Sequence, residues 1–153
     1  MPMNHRVLQR KHINEQLKSV FAYPLTVAVA AMGYGKTTAV REFLDREKAR
    51  YVWLTVESDY KSAGHIWDSL TRQLAKLRPD LGNQLNVLGF PADASQRDKI
   101  ISIIEEHTYL NDIVLVLDDY HYARSQELDK LLERIVRTNI EGFHIIIISR
   151  TKP

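Results

Sequence analysis

An α/β fold, with a parallel sheet covered by helices on both faces, is predicted by two observations. Four short runs are almost wholly apolar and rich in β-branched residues: LTVAVA (Leu25 to Ala30), YVWLTV (Tyr51 to Val56), IVLVL (Ile113 to Leu117) and FHIIIIS (Phe143 to Ser149). Strands buried on both faces have this composition. Between the runs lie segments whose apolar residues recur at helical spacing, so strand and helix alternate along the chain. The 153 residues suit one domain with a real core.

Taken in order, Val7 to Ser19 mixes charges with Val7, Leu8, Ile13 and Leu17 and reads as a lead-in helix. Pro24 then precedes the first strand. After Gly35, Ala39, Val40, Phe43 and Leu44 share one helical face. The second strand follows, and Ser62 opens a helix carrying Ile66, Trp67, Leu70, Leu74 and Leu77, stopped before Pro79. Pro79 to Asp93 reads as a loop with Gly82, Gly89 and Pro91 as breakers. A helix through Ile100, Ile101, Ile103 and Ile104 leads to the third strand, which closes on Asp118 and Asp119. Ser125 or a neighbour caps a helix with Leu128, Leu131, Leu132, Ile135 and Val136 on one face, and the last strand ends in Ser149 and Arg150.

Composition narrows the function classes. Lys and Arg total 21 against 19 Asp and Glu, a net charge of +2, which argues against a nucleic-acid grip spread over this domain. With no cysteine, disulfides and thiolate zinc sites are impossible. His5, His12, His65, His107, His121 and His144 do not pair at ligand spacing and read as solvated or hydrogen-bonded residues. No apolar run reaches the ~20 residues that span a bilayer, and MPMNHRVLQRK lacks a signal-peptide core. A soluble, cytoplasmic protein with no membrane partner is expected.

Parallel sheets bind ligands at the carboxyl ends of their strands. Three such ends carry polar residues: Gly33 to Thr38, Asp118-Asp119, and Ser149-Arg150. Phosphate binding needs inward backbone N–H groups, a lysine for the outer phosphates and a hydroxyl for magnesium. GYGKTT supplies Gly33, Tyr34, Gly35, Lys36, Thr37 and Thr38, with Lys36 expected on an exposed loop. The full pattern G-x-x-x-x-G-K-[ST] would place a glycine at position 30, where Ala30 stands, so the turn alone is also compatible with an ordinary glycine turn before a helix. The apolar run closing on Asp118 is the expected counterpart: Asp118, with Thr37, would hold Mg2+, and Asp119 would orient or deprotonate the attacking water. Arg150 would either sense the γ-phosphate or lie solvated. Trp53 and Trp67 read as core, and Tyr120 and His121, which follow the acidic pair and could line the site, read first as structural. No Asn-Lys-x-Asp stretch marks guanine recognition, so ATP and ADP are the expected nucleotides.

Together AMGYGKTTAV, YVWLTVESDY, IVLVLDDYHYA and IIIISRTKP resemble successive blocks of a STAND-class P-loop ATPase. The resemblance is to the large ATP-dependent LuxR-type transcription regulators, the group of the maltose-regulon activators, and covers the chain from about Val7 onward. Ala31-Met32 stand where the group usually has Pro-Ala before Gly-Tyr-Gly. The resemblance implies an ASCE-type three-layer sandwich truncated after the sensor strand. Counting the four strands along the chain, their order would be 1-4-3-2. It further implies a partial nucleotide-binding domain over residues 1–153, with a lead-in segment 1–24 and a core 25–153. Arg10 would lie near the nucleotide. DNA would be bound only through a missing C-terminal domain, and an unknown inducer through a missing sensor region. A later strand would cover the outer side of the first, leaving Leu25 to Ala30 an unprotected edge here, so self-association is expected.

In that picture ATP and an inducer favour an activating form, and slow magnesium-dependent hydrolysis by Lys36, Asp119 and Arg150 resets it. A fragment lacking the later parts would be nearly inactive. Two other classes compete: a small P-loop phosphotransferase, which needs an acceptor pocket and an arginine-bearing lid, and a nucleotide-binding scaffold that hydrolyses nothing.

Overall fold

Side chains alternate across a strand, so each apolar run faces two layers at once. The computed structural model describes residues 5–8, 17, 19–29, 35–59, 62–108 and 112–150. Along the chain run β1 (His5–Leu8), β2 (Leu25–Val29), α1 (Lys36–Arg46), β3 (Tyr51–Thr55), α2 (Ala63–Leu77), α3 (Pro79–Leu88), α4 (Ala94–Thr108), β4 (Ile113–Asp118), α5 (Gln126–Thr138) and β5 (Phe143–Ser149). The strands form one parallel sheet in the order β1-β2-β5-β4-β3. Ala28, Val114, Val116, Ile146 and Ile148 pack with Val40, Phe43 and Leu44 of α1 and with Leu17 and Val20. Val27, Leu115, Leu117, Ile145 and Ile147 pack on the opposite face against α2, α3, α4 and α5. The result is the expected three-layer sandwich, and the four expected strands lie in the order 1-4-3-2.

Three local expectations are overturned. Val7 and Leu8 belong not to a helix but to β1, whose register with β2 pairs Val7 with Val27 and Leu8 with Ala28. The phosphate-loop strand is therefore covered on both sides. Leu25 to Val29 is not an edge, and the self-association inferred from that edge loses its basis. Residues 9–16 of the expected lead-in helix lie outside the described residues, while Leu17 is helical and fully buried.

The segment read as a loop from Pro79 contains α3. Pro79 occupies its first turn, where a missing N–H is harmless and the fixed φ favours helix. Gly82 breaks nothing because it is a contact: a Cβ there would stand 2.2 Å from the Ala75 backbone nitrogen and 2.4 Å from its Cα. Helices α2 and α3 cross backbone to backbone at this point. The Trp67 indole locks the crossing by donating to the Leu85 carbonyl at 3.2 Å. Gly82→Ala should therefore force the pair apart and destabilise by about 3 kcal/mol, lowering Tm by roughly 6–12 °C. Gly64→Ala, whose Cβ would meet only the Ser62 hydroxyl at 3.7 Å, should be neutral or slightly stabilising. Thermal melts of both variants check the claim; equal melting temperatures would contradict it.

His144 is a satisfied core histidine, as expected. Its Nδ1 lies 3.0 Å from the Tyr23 carbonyl and its Nε2 3.3 Å from the Asp112 carboxylate. No described helix is long and apolar enough to cross a membrane.

Candidate functional site

The register brings the three polar strand ends level. Val27, Ile147 and Leu117 lie side by side across β2, β5 and β4. Two residues on, Val29 pairs with Ser149. The end of β2, the acidic pair and Arg150 thus lie at one end of the sheet together, with the arginine strand between the other two.

Helix α1 begins at this edge. Its N-cap is Gly35, in the left-handed region at φ 80°, where only glycine sits without strain. No side chain caps the helix, and its first turn holds no acid. By contrast, Ser62 and Ser125 cap α2 and α5 by accepting from the His65 and Leu128 N–H groups. The first-turn N–H donors of α1 and its positive dipole end suit an anion.

Lys36 is the first residue of α1 and only 1% exposed. This corrects the expectation of an exposed loop lysine: Lys36 already belongs to the helix, and its side chain is buried. Thr37 follows, and its hydroxyl stands 3.4 and 3.3 Å from the two Asp118 carboxylate oxygens across 81 residues of sequence. Thr38 is exposed on the next position of α1. Gly33, Tyr34 and Arg10 lie outside the described residues.

Asp118 is 7% exposed at the end of β4. Burial first, then the neighbouring Asp119 charge, pushes its carboxyl above the ordinary carboxylate range; the Thr37 hydroxyl, the Asp119 backbone and the Trp53 indole pull the other way. Trp53 faces the same layer as Asp118, because Trp53 pairs with Val116 and Thr55 with Asp118. It is half-buried rather than core, with the Arg41 guanidinium 4.0 Å over its ring. Strand parity alone would have placed Trp53 beside Asp118. Trp67 is core, as expected.

The sign of the Asp118 shift yields a prediction. A carboxyl whose folded pKa is raised binds its proton more tightly when folded. That stability is present at low pH and is lost as pH rises from the ordinary value through the raised one. Above the raised value the ionised group therefore opposes folding. Asp118→Asn should raise Tm without magnesium or nucleotide, because it removes a charge that burial and the neighbouring Asp119 both disfavour. An unchanged or lower Tm would contradict this account.

Asp119 ends the strand in the left-handed region, at φ 56° and ψ 39°. Such a conformation costs a non-glycine residue energy, though aspartate tolerates it better than most. It starts a tight turn, Tyr120–Tyr122, in which the Tyr122 N–H donates to the Asp119 carbonyl at 3.0 Å. Tyr120 is buried beneath the turn, and its hydroxyl donates to Asp129 of α5. Arg150 is exposed beyond β5, and its backbone N–H donates to His121 Nδ1 at 3.2 Å.

A buried ammonium, a buried carboxylate facing a hydroxyl, and an uncapped helix start form a donor set that fits a magnesium-bound phosphate chain. Magnesium keeps several waters and takes few protein ligands. No cluster of three or more His, Cys, Asp or Glu able to hold a metal occurs among the described residues.

Residues 21–151 match the family model described as "AAA domain". The chain is 26% identical over 148 residues to serine/threonine-protein kinase PknK of Mycobacterium tuberculosis, an alignment covering 94% of this chain and 13% of that protein. It is 20% identical over 151 residues to HTH-type transcriptional regulator MalT of Vibrio cholerae, covering 97% of this chain and 17% of that protein. The chain thus spans less than a fifth of the length of these relatives. With a match over most of its length and a parallel sheet in the order 1-4-3-2, the chain belongs to the AAA domain family of nucleotide-binding P-loop NTPases.

Proposed function

We propose that this domain binds ATP with magnesium and serves as the nucleotide switch of a signal-responsive, LuxR-type transcription regulator of the STAND class, working in the cytoplasm. The observation that carries the reading is the meeting of Thr37 with Asp118 at 3.3 Å beside the buried Lys36 and the uncapped start of α1. Magnesium, when bound, would neutralise the phosphate charge and polarise the terminal phosphoryl group. Thr37 and Asp118 would hold it. Lys36 would contact the β- and γ-phosphates, helped by Gly33, Tyr34, Gly35 and Thr38. Asp119 would orient the hydrolytic water and take its proton, and Arg150 would meet the γ-phosphate. Arg10 would flank the nucleotide. DNA and inducer recognition would belong to other domains, as the name of the Vibrio relative supports for DNA. Residues 1–24 would be a lead-in to a core from 25 to 153.

The name of the mycobacterial relative favours phosphotransfer as a second reading. Turnover of radiolabelled ATP by the full-length protein, with and without candidate acceptors, separates the two. Slow, magnesium-dependent release of phosphate to water is expected. Label moving to an acceptor would establish the phosphotransferase, and tight binding with no turnover would leave a non-hydrolysing scaffold.

A further inference from the structure

We propose that His121 is a positioning residue for recognition of the γ-phosphate, fastening the turn that carries Asp119 to the strand end that carries Arg150. The inference rests on the ATP-binding reading and adds to it a residue that contacts no phosphate itself. Two chain segments lead away from neighbouring strand ends, one from β4 and one from β5. One is the turn Asp119 to Tyr122, which is anchored below by Tyr120 on Asp129. The other is the bend at Arg150, just past β5. Sheet pairing of β4 with β5 is registered only as far as Leu117 and Ile147, so it does not tie the segments beyond. The described bond that does is the Arg150 N–H donating to His121 Nδ1 at 3.2 Å.

The chemistry of the ring makes this contact specific. An imidazole nitrogen that accepts an N–H carries no proton, so the neutral ring bears its proton on Nε2. That nitrogen is buried and has no hydrogen-bond partner among the described residues. The ring thus accepts a desolvation penalty on one nitrogen while the other makes the cross-segment bond. The Tyr122 ring packs against it with centroids 4.4 Å apart, which restricts its rotation. Holding Asp119 and Arg150 in one fixed relation would matter only to a ligand that both residues touch. ADP, lacking the γ-phosphate, would be indifferent to it.

The test is the ratio of ATP to ADP affinity, measured by calorimetry with magnesium on the full-length protein, for wild type and three variants. His121→Ala should lower ATP affinity about fivefold, the scale of one net hydrogen bond, with ADP affinity within twofold of wild type. His121→Asn, whose amide oxygen can occupy the place of Nδ1, should restore the ratio. His121→Gln, whose amide reaches the place of Nε2, should not. If the alanine variant fails to fold, as judged by its melting curve, the Asn and Gln pair carries the test. An unchanged ratio in His121→Ala, equal loss of ATP and ADP, or equal behaviour of Asn and Gln would overturn the inference. Wild type binding neither nucleotide would overturn the ATP reading itself, and this inference with it.

Discussion

Lys36→Met is expected to lower ATP affinity at least about a hundredfold while the chain stays folded. An ammonium in a site sheltered from water makes charge-assisted hydrogen bonds worth ~1.5–3 kcal/mol each, and two of them, to the β- and γ-phosphates, account for a loss on this scale. The folded chain tolerates the change for a different reason than an exposed side chain would. Lys36 is 1% exposed, so its charge is already taken from water at a cost. Methionine removes that charge and keeps most of the volume, avoiding the cavity that alanine would leave. Calorimetric titration with ATP and a thermal melt of the same preparation check both halves. Wild-type affinity in Lys36→Met would disprove the phosphate-loop assignment.

Asp119→Asn is expected to leave ATP binding within about twofold of wild type and to slow hydrolysis by 10²–10⁴-fold, the usual contribution of a positioned general base. The two acids differ in placement. Asp118 is in the last position of β4, buried, and faces the Thr37 hydroxyl. Asp119 lies outside the strand, half-buried, in a left-handed turn. A group that acts only on the water affects the transition state and not ground-state binding. Asp118→Asn should do the reverse, weakening magnesium-dependent binding directly. Single-turnover hydrolysis and equilibrium binding on both variants decide the matter; matched losses of binding would contradict the division of roles.

The most legible parts of this chain were those where one strong physical demand acted on a short stretch. Strands buried on both faces must be apolar throughout, so β2 to β5 stood out. Glycine followed by Lys-Thr, and an apolar run closing on an acid, named Gly35, Lys36, Thr37 and Asp118 before any contact was known. Features set by tertiary context were not legible. Val7 and Leu8 sit among charges with no strand alternation, and pairing with β2 decides their conformation. Pro79 and Gly82 carry the chemistry of breakers, yet one starts a helix and the other lets two helices touch. The burial of Lys36 follows from where α1 begins, which the Gly35 backbone conformation sets. The His121 contact joins residues 29 apart through a backbone donor, which leaves no mark in residue types.

The central claim is that the starts of α1 and the ends of β4 and β5 form one magnesium-dependent ATP site. Titrating ATP into the full-length protein, once with magnesium and once with the metal chelated, tests it most directly. Saturable one-to-one binding is expected with magnesium and markedly weaker binding without it, because Asp118 and Thr37 would then face the phosphates with no cation between them. Absence of ATP binding in magnesium, or affinity that ignores the metal, would contradict it.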